Sequence, residues 1–215
     1  MAKTVAFLGG PMHDLVYYVG NMLRMWKEEV LVVSIHEGQE QEYQPNYYMG
    51  LDWLNCNYSW LKNHPDMQNS YTYVLIEIAY DQLNVFGVEQ EEWDYRIMVT
   101  DLHKQNNDQI AKIILQTQKD CMLLVRDICN KRLSSRYFLR MYPECGSLCF
   151  VQEIWLDSYD RYYRLCLELE ESILLKELSV DMQKALLRIV TDISGYPEEK
   201  CKYALQQLKK GVVEC

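Results

Sequence analysis

Short apolar runs separated by helix-length amphipathic segments dominate the first three quarters of the chain. Lys3 to Leu8, Val30 to Ser34, Tyr73 to Ile78, Arg96 to Thr100, Met122 to Val125 and Leu148 to Val151 are rich in β-branched and other apolar residues, and predict strands. Leu15 to Lys27 and Gln105 to Gln118 carry apolar residues at helical spacing; in the second, these are Ile110, Ala111, Ile113 and Ile114. Strands without polar alternation are covered on both faces, so the pattern predicts a doubly wound, mostly parallel α/β sheet with helices on both faces.

After Trp155 the period becomes helical throughout. Tyr159 to Leu178, with Tyr162, Leu165, Cys166, Leu169 and Ile173 at helical intervals, predicts one long helix interspersed with Glu168, Glu170 and Glu171. Asp181 to Ser194 predicts a second, stopped by Gly195 and Pro197, and Pro197 to Lys210 a third. The expected organisation is an α/β domain over residues 1–175 and C-terminal helices over 176–215, packed on it or appended to it. Residues 38–71 lack a clear period and contain Tyr43, Tyr47, Tyr48, Trp53, Tyr58 and Trp60. They predict a packed, irregular, aromatic-rich insertion, because disordered segments are poor in aromatics.

The first strand runs into Gly9-Gly10-Pro11-Met12-His13-Asp14, the position of a phosphate-binding loop. Such a loop needs successive backbone N–H donors, a lysine on the β/γ oxygens and a hydroxyl for Mg²⁺. Pro11 has no N–H, no lysine follows the glycines, and Asp14 brings negative charge to the place of an anion. Asp14 is expected to cap the following helix rather than to act with His13 as an acid/base pair, since adjacent helical residues point apart.

The strand, the Gly-Gly loop, the helix and the later strand Tyr73 to Ile78 resemble the ParA/MinD family, the deviant Walker A ATPases of chromosome, plasmid and pilus positioning. The family loop reads Lys-Gly-Gly-x-Gly-Lys-Thr-Thr. Aligned on the glycine pair, its leading lysine falls at Leu8, its third glycine at Met12, its phosphate lysine at His13 and its magnesium hydroxyl at Asp14. The resemblance further implies Glu77 or Asp81 near the place of the magnesium-associated acid, Met98 to Asp101 as the strand ending beside the nucleotide, and Asn130 as counterpart of a base-contacting asparagine. What it implies is a degenerate, P-loop NTPase-like member, similar to TadZ-type localisation proteins. Such a protein would be non-hydrolysing and would act as a scaffold in a secretion, pilus or partitioning system, with a protein partner or a second copy as a homodimer. Gly9, Gly10, His13, Asp14, Glu77 and Asn130 are the degenerate nucleotide-site positions, and no cofactor is expected. The alternative is a nucleotide or phosphate binder with an unconventional loop that lacks ordinary Mg-ATP coordination. Under that alternative, a β-branched residue at Gly10 abolishes binding and leaves folding nearly intact, provided Gly10 takes positive φ only for the ligand. A receiver-like signalling domain is a further alternative, with Asp14, Glu77 and Lys131 in the acid and lysine roles.

Composition narrows these classes. A formal net charge of −9 opposes extended contact with nucleic acid. The basic residues Arg126, Lys131, Arg132, Arg136 and Arg140 form a local cluster read as a solvated helix face. No apolar run is long enough to span a bilayer and no secretory signal is evident, so a cytoplasmic location is expected. The eight cysteines are expected to be reduced. Cys145 and Cys149 are the closest pair in sequence, and no metal site is expected from them. His36, His64 and His103 are scattered and read as surface or satisfied core residues.

Overall fold

A computed structural model describes residues 2–36, 44–83, 87, 91–169 and 175–211. The strands are β1 (Lys3–Gly9), β2 (Val30–Ile35), β3 (Asn46–Tyr48), β4 (Leu51–Cys56), β5 (Tyr73–Ala79), β6 (Tyr95–Thr100), β7 (Cys121–Ile128) and β8 (Cys149–Trp155). They form one sheet in the order β3-β4-β2-β5-β1-β6-β7-β8, parallel throughout except for β3, which pairs antiparallel with β4.

Each buried strand feeds two cores by its period of two. In β1, Val5 and Phe7 join the core under helix α1 (His13–Arg24), while Ala6 and Leu8 join the core on the opposite face. The first face also carries α6 (Ser158–Glu168), α7 (Val180–Ser194) and α8 (Glu198–Lys209). The second carries α2 (Tyr58–Asn63), α3 (Pro65–Gln68), α4 (Lys104–Thr117) and α5 (Ser135–Met141), followed by a 3-10 helix at Pro143–Ser147. The chain thus winds leftward from β1 to β2, returns to β5, and crosses to β6 on the other side of β1. The switch of direction falls at the C-terminal end of β1, where open α/β sheets leave a crevice for ligands.

The expected doubly wound sheet and its helical C-terminal part are present. Met182, Ala185, Leu186 and Ile189 of α7 and Cys201, Ala204 and Leu205 of α8 share one core with α1. α7 ends as the sequence predicts, at Gly195 in the left-handed region with φ +70°.

Two expectations need correction. The segment read as an irregular insertion contains β3 and β4, and β4 is a parallel strand inside the sheet, with Leu51, Trp53, Leu54 and Cys56 buried. Asp52 and Asn55 interrupt its apolar run and hide it from a periodicity reading. Residues 38–43 of that segment lie outside the described residues. The helix expected to run to Leu178 ends instead at Glu168. Leu175 and Leu178 are in the core, and Ser179 donates from its N–H and hydroxyl to the buried Asp160 carboxylate of α6. Glu170, Glu171 and Ile173 lie outside the described residues.

Candidate functional site

Strand register assembles the site. Ser34 of β2 and Glu77 of β5 are paired positions on adjacent strands. Both have the parity of residues that face α1: Val30 and Val32 in β2, Tyr73 and Leu75 in β5. Trp53 of β4 lies on that face one pair earlier, opposite Val32. The first residue of α1, His13, closes over them.

A continuous hydrogen-bond chain results. The Trp53 Nε1–H donates to Ser34 Oγ at 2.8 Å, Ser34 donates to Glu77 Oε1, and His13 Nδ1 lies 3.3 Å from the same carboxylate oxygen. The His13 ring packs on Trp53 at 4.7 Å between centroids. Burial alone would lower the His13 pKa, but the Glu77 carboxylate, helped by Asp14 and Glu168, outweighs it and raises the imidazole above 6.5. Glu77 Oε2 is buried with no hydrogen-bond partner among the described residues.

This chain is not a hydrolytic triad. In a triad the imidazole stands between hydroxyl and carboxylate and takes the hydroxyl proton. Here the carboxylate stands in the middle, so Ser34 Oγ faces the Glu77 carboxylate and not an imidazole.

The glycine loop lies alongside. Gly9 and Gly10 have φ of +112° and +139°. A Cβ at Gly9 would stand 2.2 Å from the Val99 carbonyl oxygen, so the close approach of β1 to β6 requires glycine there. Gly10 N–H donates to that same oxygen at 3.1 Å. The positive φ of Gly10 therefore accompanies a bond of the loop's own backbone, so the condition under which its replacement leaves folding nearly intact does not hold. The next residue, Pro11, has no N–H, and its carbonyl accepts from Arg126 Nη1 at 2.7 Å.

Asp14 is not a cap. It sits inside α1, whose N-cap Met12 makes no side-chain capping bond. Its carboxylate accepts two bonds from the Arg126 guanidinium, at 2.7 and 2.8 Å, with both side chains fully buried. Burial would raise the Asp14 pKa, but Arg126 more than offsets this and holds the carboxyl below its ordinary 3.8. Arg126 has the parity of Met122 and Leu124 in β7 and so points beneath α1. It is therefore not part of an exposed basic face. Lys131 and Arg132 lie in the exposed turn after β7, and Arg136 and Arg140 belong to α5.

Just beyond Arg126, β7 bulges. Asp127 takes φ +58°, pairing with β8 is irregular between Val125 and Ile128, and Asp127 accepts from Arg164 of α6 at 2.9 Å. Charges alternate along Asp14, Arg126, Asp127 and Arg164, which ties the loop, β7 and α6 together.

Two adjoining cavities open here. One, of about 250 Å³, is lined by Gly9, Gly10, His13, Glu77, Arg164 and Glu168 among others. The other, of about 420 Å³, shares His13, Ser34 and Glu168 and adds Tyr48, Trp53 and Asn55. Of the site residues expected from sequence, Gly9, Gly10, His13 and Glu77 thus meet, and Asp14 lies buried behind them. Asn130 does not line either cavity. Its Oδ1 accepts from Arg132 N–H at 2.9 Å within an exposed turn. Asp81 and His36, His64 and His103 also stay outside, the histidines exposed. Ser34, Trp53, Arg126, Arg164 and Glu168 were not anticipated. For Ser34 the signal existed: one polar residue inside an otherwise apolar strand, as with Glu77 in β5.

The strand order and the crevice at the end of β1 define a doubly wound, mostly parallel α/β protein. Among solved structures it is similar to the MinD cell division protein of Aquifex aeolicus, with a TM-score of 0.62 at 15% identity over 91% of this chain and 98% of that one. It is equally similar to a chain of the MinC:MinD cell division protein complex of Aquifex aeolicus, with a TM-score of 0.63 at 15% identity over 91% and 97%. The chain has the MinD fold. No protein-family model matches its sequence, and no curated protein matches it.

Proposed function

We propose that this chain is a non-hydrolysing, MinD-fold scaffold or localisation protein that works in the cytoplasm through protein–protein contact. The observation that carries the reading is the outer face of α6. Tyr159, Tyr162 and Leu165 recur there at helical spacing and Leu169 follows at the C-cap, with Leu165 and Leu169 47% and 71% exposed. Contiguous exposed apolar surface of this kind marks interaction sites.

The neighbouring loop supports the absence of hydrolysis. Gly10 N–H is engaged by Val99, Pro11 has no N–H, and the position aligned with the magnesium hydroxyl is an acid paired to Arg126. In the smaller cavity Glu77 and Glu168 face one guanidinium, Arg164, which Asp127 already engages, and His13, which Glu77 engages, so little free positive charge is left to attract a triphosphate. No helix among the described residues is long and apolar enough to cross a membrane. The partner is another protein or a second copy of the chain.

Photo-cross-linking tests the surface, with a benzophenone amino acid placed at Leu165 and, as control, at the exposed Lys112 of α4. The reading expects a discrete protein adduct from position 165 in cells of the native host, absent from position 112. Equal or absent labelling at both positions contradicts it.

A further inference from the structure

Far from the glycine loop, at the opposite end of the sheet, Cys121 and Cys149 begin β7 and β8 and are register partners. Their Sγ atoms are 3.4 Å apart. Neighbouring strands hold paired Cα atoms about 4.8 Å apart, inside the span of about 4.4 to 6.8 Å that a disulfide bridges. The closest cysteines in sequence, Cys145 and Cys149, are not the closest pair in space. Cys145 is buried with its sulfur 4.0 Å from the Ala111 carbonyl of α4.

Both thiols have the parity of Leu123 and Val151 and face the α4 side of the sheet, while the two residues also border a groove of about 720 Å³ between the starts of β6 to β8 and helix α7. Cys149 is the more open of the two, and Cys121 is buried at 7% exposure. Either thiol can donate across this contact; with the more buried Cys121 as donor, the bond favours thiolate at Cys149 and holds its pKa below the ordinary 9.0 against the effects of burial and Asp120. The same bond, together with burial, keeps Cys121 protonated.

We propose that Cys121 and Cys149 form a redox-modifiable dithiol, oxidised by a hydroperoxide to a disulfide that fixes the edge strand β8 to β7. The Cys149 thiolate attacks the peroxide O–O bond, giving a sulfenic acid and, after protonation, an alcohol or water. The Cys121 sulfur then attacks the sulfenic sulfur, forms the S–S bond and releases water. In total, two thiols lose two hydrogens and one hydroperoxide is reduced. β8 leads straight into α6, so the cross-link braces the strand from which the exposed stripe departs. The proposal does not depend on what binds that stripe.

Hydrogen peroxide is the probe, applied to the reduced full-length protein, followed by alkylation, digestion under non-reducing conditions and peptide mass mapping. Exposed Cys129 serves as the internal measure of oxidant exposure. The expected result is one Cys121–Cys149 cross-linked peptide, reversed by dithiothreitol and formed equally in Cys145→Ala. In Cys121→Ser, Cys149 should instead accumulate a dimedone-reactive sulfenic acid. A cross-link through Cys145 overturns the proposal, as does sulfinic acid at Cys149 without a cross-link, or both thiols alkylated after Cys129 has been consumed. If Cys121→Ser fails to fold, wild type and Cys145→Ala decide the matter alone.

Discussion

Arg126 and Asp14 form a two-pronged ion pair, at 2.7 and 2.8 Å, wholly removed from solvent between the end of β7 and the first turn of α1. A buried pair gains little over apolar packing, but one partner alone is costly, because the survivor keeps an uncompensated charge. Asp14→Asn or Arg126→Met should each lower unfolding free energy in urea by about 3–5 kcal/mol. The double variant Asp14→Leu/Arg126→Leu should lose much less than the sum of the two.

The same pair sets an acid limit. Since the Asp14 carboxyl is held below its ordinary 3.8 in the fold, its contribution is present above that value and is lost as pH falls through the lowered folded pKa. Urea midpoints followed into acid should drop over this range in wild type. The drop should be smaller in Asp14→Asn, which carries nothing to protonate there.

His13 titrates in the opposite sense. Its folded pKa is raised above 6.5, so the stability it contributes is full below that value and disappears as pH rises through the folded pKa. An NMR titration of the His13 ring should give a midpoint above 6.5. Glu77→Gln should bring the midpoint down, because burial, which lowers it, then acts with much weaker opposition.

Ser34 joins Trp53 to Glu77, accepting from one and donating to the other. Ser34→Ala leaves a buried indole N–H without its acceptor and should cost about 1–3 kcal/mol. Thermal or urea unfolding measures it, and Trp53 fluorescence should report the changed surroundings.

Gly9 and Gly10 should differ in degree. A side chain at Gly9 meets the Val99 oxygen at 2.2 Å, whereas at Gly10 the nearest atom is Tyr80 at 3.9 Å and the cost is the backbone angle alone. Gly10→Ala should cost about 1–3 kcal/mol, and Gly9→Ala more, in parallel urea titrations.

Much of this architecture was legible in the sequence because apolar runs in β1, β2 and β5 are long enough to betray strands buried on both faces. β4 was not, since Asp52 and Asn55 break its pattern and only pairing with β2 makes it a strand. Element order brings Glu77 and His13 to the cavity at the Gly9-Gly10 loop. Five basic residues over a short stretch suggest one surface, yet Arg126 is buried. The alternation Met122, Leu124, Arg126 would have put it on the buried face. Local preference favours Asp14 as a cap, and a partner 112 positions away overrides it. Long-range partners of this kind leave no local trace.

The most direct test of the central claim, that the Gly9-Gly10 loop does not hold a nucleotide, is isothermal titration of the purified protein with ATP and with ADP, each with Mg²⁺. The account predicts no binding heat up to millimolar nucleotide. Saturable binding in the micromolar range, abolished by Gly10→Val in a variant that remains folded, would contradict it.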